Sequence, residues 1–257
     1  MAMKESVYDS EGFFELYQKL RANPGSLNEI VEKPTMLSLL PDITGKTLLD
    51  MGCGTGEHLQ MYLRLGAKRV VGIDLSASML KQAEIDLGKF CENQPQFSSG
   101  SFSLHHLPME QLDQLPEAQF DVITSSFAFH YVENFPALLT KISNKLTARG
   151  SLVFSQEHPV VTAYQGGERW EKDENKQQIA YRLNFYRDEG KRERSWFKQP
   201  FLTYHRTIST IVNNLIQAGF TIEKMAEPML ADQAEWQTEF KDLQHRPVLL
   251  FIRAKKS

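Results

Sequence analysis

The sequence predicts an α/β fold: a seven-stranded, mostly parallel sheet with helices on both faces. Short apolar runs alternate with segments of helical spacing, which favours parallel strands joined by crossover helices. A glycine-rich turn follows the first of these runs. Two late apolar runs have no long helix between them, so we expect an antiparallel pair that closes the sheet.

The elements follow in chain order from these patterns. Apolar residues at helical spacing predict two helices before the sheet, over 11–22 and 26–40. Strands and helices then alternate. The predicted strands are 46–51, 69–74, 97–106, 120–125 and 151–156, and the helices between them are 57–65, 77–90 and 133–146. A helix over 207–218 and strands over 220–225 and 248–253 complete the prediction.

The chain divides into three parts. Residues 46–158 and 205–257 form the predicted sheet domain, and residues 1–45 supply N-terminal helices that cover its site. Residues 159–204 interrupt the alternation with a polar stretch that carries both charge signs and many aromatic side chains. Such a stretch is too aromatic for a linker. We interpret it as an inserted lid that sets substrate specificity.

Composition narrows the function classes. The chain has 257 residues and a net charge of -3, which argues against nucleic-acid binding through a general basic field. Its two cysteines, Cys53 and Cys91, are too few for a disulfide framework. No secretory leader and no apolar run of membrane-spanning length is visible, so a cytoplasmic location is expected. No spacing of acidic or histidine residues predicts a metal site, and the oligomeric state stays open.

The stretch LLDMGCGTGEHL, residues 48–59, places glycines at 52, 54 and 56 after the first strand. Bare backbone lets a ligand lie against the chain, and the following helix offers free N–H groups. Asp74 ends the next strand, where a carboxylate can accept hydrogen bonds from both hydroxyls of a ribose. Together these features predict a nucleoside site. Glu57 stands where a dinucleotide fingerprint needs its third glycine, which disfavours a nicotinamide cofactor.

Four segments carry a family resemblance: LLDMGCGTG, VVGIDLSASML, FDVITSSFAFHYVEN and GSLVFSQEHP. In order and spacing, over residues 46–157, they resemble the class I S-adenosylmethionine-dependent methyltransferases, closest to the type 11 branch. The resemblance implies a Rossmann-like sheet, S-adenosylmethionine as cofactor, and transfer of its methyl group to an O, N or C nucleophile of a small molecule.

The resemblance also implies cofactor contacts. The methionine part would be met by Gly52, Cys53, Gly54 and Gly56, with Asp50 holding the loop or reaching the amino group. Asp74 would bind the ribose. The residues expected around the adenine and sulfur are Leu75, Met79, Met109, Glu110 and Ser125. In the family an Asp-Ala pair usually meets the adenine edge; here the place reads Pro108-Met109-Glu110.

Tyr17 and Arg21 are four residues apart and so share a helix face. By resemblance, we expect both to face the carboxylate of the cofactor, for which a planar guanidinium is well suited.

Catalysis would rest mainly on alignment of the nucleophile behind the methyl group. An acceptor that carries a proton needs a base, and the candidates are His158 and Glu157 after the fifth strand and His130 after the fourth. We expect His130 to be mostly structural. The alternatives are a methyltransferase acting on RNA or protein, a non-catalytic protein that binds S-adenosylmethionine or S-adenosylhomocysteine, and, less favoured, a nicotinamide-dependent dehydrogenase.

Overall fold

The computed structural model describes residues 6–10, 12–21, 23–94, 96–196, 199–229 and 240–257. Its strands are β1 (Thr47–Met51), β2 (Arg69–Asp74), β3 (Phe102–His106), β4 (Phe120–Ser125), β5 (Leu146–Glu157), β6 (Trp170–Lys172), β7 (Gln178–Tyr181), β8 (Gly190–Trp196), β9 (Gln199–His205), β10 (Phe220–Ala226) and β11 (Leu249–Lys256).

The helices surround these strands. They are α1 (Phe13–Arg21), α2 (Lys33–Leu39), α3 (Glu57–Arg64), α4 (Ala77–Glu92), α5 (Phe135–Lys145), α6 (Pro159–Thr162) and α7 (Ile208–Gln217). No helix in the described part of the chain combines the length and the apolar character needed to cross a bilayer.

The main sheet has seven strands in the order β10-β11-β5-β4-β1-β2-β3. The pairings from β5 through β3 are parallel, while β11 runs antiparallel to both β5 and β10. This confirms the predicted fold, including the antiparallel closing pair. The strand order reverses between β1 and β4, and open α/β sheets bind their ligands at the carboxyl edge beside such a reversal.

Most element bounds fall within two residues of the prediction. The strand β5 begins five residues before its predicted start, and β11 ends three residues after its predicted end. Two further departures have a local cause. The predicted strand 97–106 begins only at Phe102, because Ser98 and Ser101 cap each other across a tight turn. The predicted helix 26–40 opens as a π-helical turn, Asn28–Glu32, before α2. The ends of the predicted helix 11–22, Glu11 and Ala22, lie outside the described residues.

Neighbouring residues of β1 build separate cores on the two faces of the sheet, as the two-residue period of a strand requires. Leu48 packs with Met36 of α2 and Leu59 of α3. Leu49 packs on the opposite face with Leu139 of α5 and Leu215 of α7. With both faces covered, the sheet holds the loops at its carboxyl edge in fixed positions.

The insertion 159–204 contains α6 and two antiparallel hairpins, β6–β7 and β8–β9. Its two ends are joined by the buried His205, whose Nδ1 lies 2.8 Å from Thr162 Oγ1. The other ring nitrogen lies 2.9 Å from the carbonyl oxygen of Tyr186, inside the insertion. These contacts bring the returning chain back beside β5.

A substitution at Gly72, in the middle of β2, tests how tightly side chains pack against the sheet below the glycine loop. A Cβ there would lie 2.7 Å from Cys53 Sγ, 2.8 Å from Leu59 Cδ1 and 2.9 Å from Leu104 Cδ2. We expect Gly72→Ala to lower the free energy of unfolding by about 1–3 kcal/mol through overpacking, measured by urea denaturation.

The matched control is Gly88→Ala in α4, where a Cβ would meet nothing within 4 Å. This change should be neutral or raise stability by about 0.5–1 kcal/mol, since alanine is the better helix former. Equal stabilities for the wild type and Gly72→Ala would contradict the packing described for β2.

Candidate active site

The loop after β1 has a backbone that only glycines adopt easily. Gly52, Gly54 and Gly56 have φ angles of 77°, 54° and 79°, a region that other residues avoid. Gly52 also lies against the loop after β4, because a Cβ on it would be 3.0 Å from the Cβ of Ala128. The predicted ligand loop is therefore a tight bend in which Gly52 and Gly54 are half-buried and Gly56 is buried.

Asp74 joins this loop to the next one. Its Oδ2 accepts a hydrogen bond of 2.8 Å from Gly54 N–H, and its Oδ1 accepts one of 2.8 Å from Ser76 N–H. Burial raises the pKa of Asp74, and the two backbone hydrogen bonds offset part of that rise. The predicted pair of glycine loop and acidic strand end is thus brought together by direct contact.

Asp50 is fully buried beneath the loop. Its Oδ1 accepts a 2.8 Å hydrogen bond from Thr124 Oγ1, whereas its Oδ2 has no hydrogen-bond partner. Burial raises the pKa of Asp50 to about 6, and the nearby His58 opposes that rise. The carboxylate therefore ties β1 to β4 and keeps one acceptor oxygen free.

The other residues predicted near the adenine and sulfur differ in how they are placed. Met109 reaches the glycine loop, since its Cε would lie 3.6 Å from a Cβ on Gly52. Leu75 is half-buried beside Asp74, and Met79 is buried in the first turn of α4. Two predicted residues face elsewhere: the side chain of Glu110 is exposed, and Ser125 Oγ donates to the Met51 carbonyl at 2.8 Å.

Cys53 is a buried free thiol in the glycine loop. Burial raises its pKa well above the ordinary value, and the charges of Asp74 and Asp50 add to that rise. The side chain is therefore neutral and packs beneath the loop, which leaves the backbone of Cys53 as the part that a ligand can meet.

Two residues of the N-terminal segment, Asp9 and Arg21, contact the starts of α4 and α3 at this edge. Asp9 accepts hydrogen bonds from Ser76 Oγ at 2.7 Å and from Ser78 N–H at 3.0 Å, so it completes the cap of α4. Arg21 Nη2 donates to Glu57 Oε2 at 2.7 Å, and Lys33 Nζ lies 2.8 Å from the same oxygen. Arg21 is thus held beside the first residue of α3.

An aromatic roof covers the edge between the N-terminal segment and the insertion. It consists of Tyr8, Tyr17, Tyr131, Trp196 and Phe201. The ring of Tyr17 lies edge-on to Tyr8 and Trp196, with centroids 5.0 and 6.1 Å away. The ring of Tyr131 lies 6.1 Å from that of Phe201 on β9, and its side chain interacts with that of Tyr8. The roof therefore joins three segments that are distant in sequence.

His130 lies on the site side of β5. Its Nδ1 accepts a 3.3 Å hydrogen bond from Glu157 N–H, so in the neutral ring the proton is on Nε2. Burial lowers the pKa of His130 to about 4, against the raising effect of the Glu157 carboxylate. His130 is therefore a neutral donor, which agrees with a mainly structural role.

The prediction of His158 as a general base is not supported by its contacts. Its Nδ1 accepts from Val160 N–H at 3.1 Å and caps α6, and its Nε2 lies 2.8 Å from Glu227 Oε1. Because Pro159 opens that helix, His158 takes the cap position. Both ring nitrogens are occupied, so no lone pair is free to take a proton.

Glu157 lies at the end of β5, as the sequence predicts, and its carboxylate forms an ion pair. Both of its oxygens lie 3.3 Å from the guanidinium of Arg194 on β8. The two side chains are 15% and 14% exposed, so the pair is shielded from solvent but reachable. Of the three candidate bases, Glu157 is the carboxylate that faces the insertion.

Sequence reasoning missed Asp9, Glu32 and Arg194, which contact the site from outside the sheet. Arg194 sits in a run of charges that resembles a solvated turn, and Asp9 lies in a short N-terminal segment. Glu32 lies in a stretch of helical spacing, and only the structure shows that it is fully buried. A charged residue is almost never fully buried unless it is paired.

Comparisons with known proteins identify the family. A profile of the methyltransferase domain matches residues 49–154. A solved S-adenosylmethionine-dependent methyltransferase from Mesorhizobium loti superposes with a TM-score of 0.75 and 30% identity, covering 90% of this chain and all of the other. A structure from Listeria monocytogenes assigned to the same class gives 0.74 and 32%, covering 88% and 98%.

Two further comparisons concern sequence alone. A Haemophilus influenzae protein of unassigned function is 68% identical over 256 residues, covering 100% of this chain and 99% of its own. The tRNA U34 carboxymethyltransferase of Serratia proteamaculans is 33% identical over 119 residues, which is 46% of this chain and 34% of that enzyme. The match thus spans about a third of that relative's length.

A doubly wound sheet with a glycine loop and an acidic strand end at its switch point defines a nucleoside-binding α/β protein. Two relatives of at least 30% identity, each covered almost completely, carry the assignment further. The chain belongs to the S-adenosylmethionine-dependent methyltransferases, and it is an enzyme that uses S-adenosylmethionine as methyl donor.

The burial of His130 predicts the protonation state of its imidazole. We expect its imidazole to stay neutral at pH 5–7, as the Nε2–H tautomer, because its pKa is lowered to about 4. An unfolded histidine takes up its proton near pH 6.5, so acidification from there toward 4 lowers the free energy of unfolding through this residue. The measurement is an NMR titration of ¹⁵N-labelled histidines, with the signal identified by its loss in His130→Gln. A midpoint near 6.5 would contradict the described burial.

Proposed function

We propose that the loop 52–56 and Asp74 hold S-adenosylmethionine, with Asp74 accepting hydrogen bonds from the ribose hydroxyls. The observation that supports this most is the 2.8 Å contact between Gly54 N–H and Asp74 Oδ2, since it places bare main chain and a carboxylate within reach of one nucleoside. A carboxylate offers about four acceptor positions, so Asp74 keeps lone pairs for a ligand.

The remaining contacts follow from this placement. Gly52, Cys53, Gly54 and Gly56 would line the methionine part, and Asp50 supports the loop from below. Leu75 and Met109 would flank the adenine, with Met79 behind them. The backbone around Glu110 would meet the adenine edge. Ser125 would act by fastening β4 to β1 rather than by touching the cofactor.

Tyr17 and Arg21 would close the carboxylate end of the cofactor. Arg21 lies next to the N-terminus of α3 through its pair with Glu57, and Tyr17 lies one helical turn before it on α1. A guanidinium has five N–H donors. Arg21 can therefore keep Glu57 and still donate to a second carboxylate.

S-adenosylmethionine supplies a methyl group on a positively charged sulfur, from which it leaves in line with an attacking lone pair. The protein's own part is to align the acceptor and to exclude water. The aromatic roof would exclude water above the site. His130 would donate its Nε2–H to an acceptor oxygen or nitrogen. Arg194 neutralises the charge of Glu157, and this pairing favours a methyl acceptor whose attacking atom already has a free lone pair. Where the attacking atom carries a proton, Glu157 would accept that proton.

We further propose a small-molecule acceptor, enclosed by the aromatic roof and selected by the insertion 159–204, which would serve as a lid. The roof brings three segments together over one edge of the sheet, and this suits a ligand that can be surrounded. The net charge of -3 does not favour a polyanionic acceptor. The tRNA-directed relatives make tRNA the alternative. Two free thiols are compatible with the cytoplasm as the working compartment.

Asp74→Asn tests the cofactor site. Asparagine keeps the size but has one acceptor oxygen and no charge, so the affinity for S-adenosylhomocysteine should fall by about 1.5–3 kcal/mol, the range for hydrogen bonds to a charged group. Isothermal calorimetry measures it.

The control is Asp42→Asn, in an exposed turn where Asp42 Oδ1 accepts from Thr44 N–H at 3.0 Å. Its affinity should equal that of the wild type. Undiminished binding by Asp74→Asn would place the nucleoside elsewhere.

The acceptor class can be tested without knowing the acceptor. The enzyme is incubated with methyl-labelled S-adenosylmethionine and, separately, a small-molecule filtrate and a purified tRNA pool from bacterial extract. We expect label in the filtrate, and much less of it when Asp74→Asn replaces the wild type at a low concentration of S-adenosylmethionine. Label in the tRNA pool alone would replace the small-molecule proposal with the alternative.

A further inference from the structure

Glu32 is a buried acid that neither the sequence nor the cofactor contacts above explain. It ends the π-helical turn before α2, and its side chain is 1% exposed. Its Oε1 accepts hydrogen bonds from Ser126 Oγ at 2.6 Å and from Ser155 Oγ at 2.7 Å. One carboxylate oxygen of the N-terminal segment therefore holds the loop after β4 and the strand β5 at once.

These contacts continue into a strained loop. Phe127 has a φ of 56°, a left-handed conformation that is unfavourable for an aromatic residue. Its N–H donates to Ser155 Oγ at 2.9 Å and lies 3.1 Å from the Ser155 carbonyl oxygen. Since Ser155 Oγ also donates to Glu32, the carboxylate orients the hydroxyl that holds the strained residue in place.

The loop held in this way touches the proposed cofactor site. Ala128 follows Phe127 and lies against Gly52, where a Cβ would come within 3.0 Å. The ring of Phe127 packs edge-on to His130, with centroids 5.3 Å apart. A shift of the loop after β4 would therefore move the wall of the glycine loop and the imidazole together.

The second oxygen of Glu32 faces α3, the helix that follows the glycine loop. Oε2 lies 3.6 Å from His58 Nε2 of α3, and it has no hydrogen-bond partner. Asp50 Oδ2 and His58 Nε2 are likewise buried without a hydrogen-bond partner. Unpaired buried polar atoms are costly and are retained where the arrangement has a use.

We propose that Glu32 is a positioning residue for methyl transfer: its carboxylate fastens the loop after β4 against the glycine loop and so fixes the wall of the cofactor site. This rests on the proposed function of that site. Glu32 does not touch the reacting atoms. Its effect passes through Ser126 and Ser155 to Phe127, Ala128 and the backbone of Gly52.

The test compares variants by calorimetry with S-adenosylhomocysteine. Glu32→Ala removes the acceptor of both hydroxyls, and the affinity should fall about tenfold or more. Glu32→Gln keeps an oxygen that can accept from both serines, so it should restore the affinity to within about threefold of the wild type. A purely stabilising role would instead lower the melting temperature and leave the affinity of the folded protein unchanged.

Glu117→Ala is the matched control. Glu117 is also a shielded acid that accepts from a serine, Ser103 Oγ at 3.1 Å, but it precedes β4 and so lies at the opposite edge of the sheet. The Glu117→Ala variant should have a lower free energy of unfolding than the wild type and the same affinity for S-adenosylhomocysteine. Should Glu32→Ala not fold, Ser126→Ala removes one arm of the same contact and should still weaken binding.

The outcomes separate the two proposals. A wild type that fails to bind S-adenosylhomocysteine would overturn the proposed cofactor site. Normal binding by folded Glu32→Ala, or by Ser126→Ala if the former does not fold, would overturn the role of Glu32 alone. Failure of a folded Glu32→Gln to recover affinity would also count against it, because the hydroxyl acceptor would be present without effect.

Discussion

The carboxylate of Asp74 is the constraint on which the carboxyl edge of the sheet depends. It accepts one backbone N–H from the glycine loop and one from the start of the next loop, both at 2.8 Å. A single side chain thereby sets the distance between the glycine loop and the loop after β2. Backbone donors to a charged acceptor are strong hydrogen bonds, so this contact fixes the position of Gly54 in the loop.

Around that contact, polar groups are buried in pairs and triads rather than exposed. Thr124 supports Asp50, while Ser126 and Ser155 support Glu32, so hydroxyl groups of β4, β5 and the loop between them each stabilise an acid. Such networks act as a unit, because the low dielectric of the interior strengthens every satisfied bond and penalises each unsatisfied one. The sheet fixes where β4 and β5 end, and this network of hydrogen bonds fixes the loop after β4 relative to the sheet.

The fold is largely predictable because its signals are local. The runs RVVGID and FDVITS predict β2 and β4 to the residue, since each is apolar and is bounded by polar or turn residues. The glycine loop and Asp74 are predictable for the same reason. Side-chain partners across the fold are not. His158 is hydrogen-bonded to Glu227, and Glu157 is paired with Arg194. Both contacts join segments that are distant in sequence and meet only in the folded chain.

Glu32 shows most clearly which contacts the sequence cannot predict. Its neighbours in sequence predict a helix, but its partners lie on β5 and on the loop after β4, 94 to 123 residues further along the chain. His158 shows the opposite case, in which the following proline was a usable sign of a helix cap.

The position of β11 has a consequence for how the molecule forms. The last strand lies between β5 and β10, so Phe251 pairs with Ser155 on one side and with Ala226 on the other. During synthesis, β10 leaves the ribosome before the strand that joins it to the sheet exists. Pairing across such sequence separations slows folding. The β5 edge of the sheet therefore stays unpaired in the nascent chain until β11 has left the ribosome.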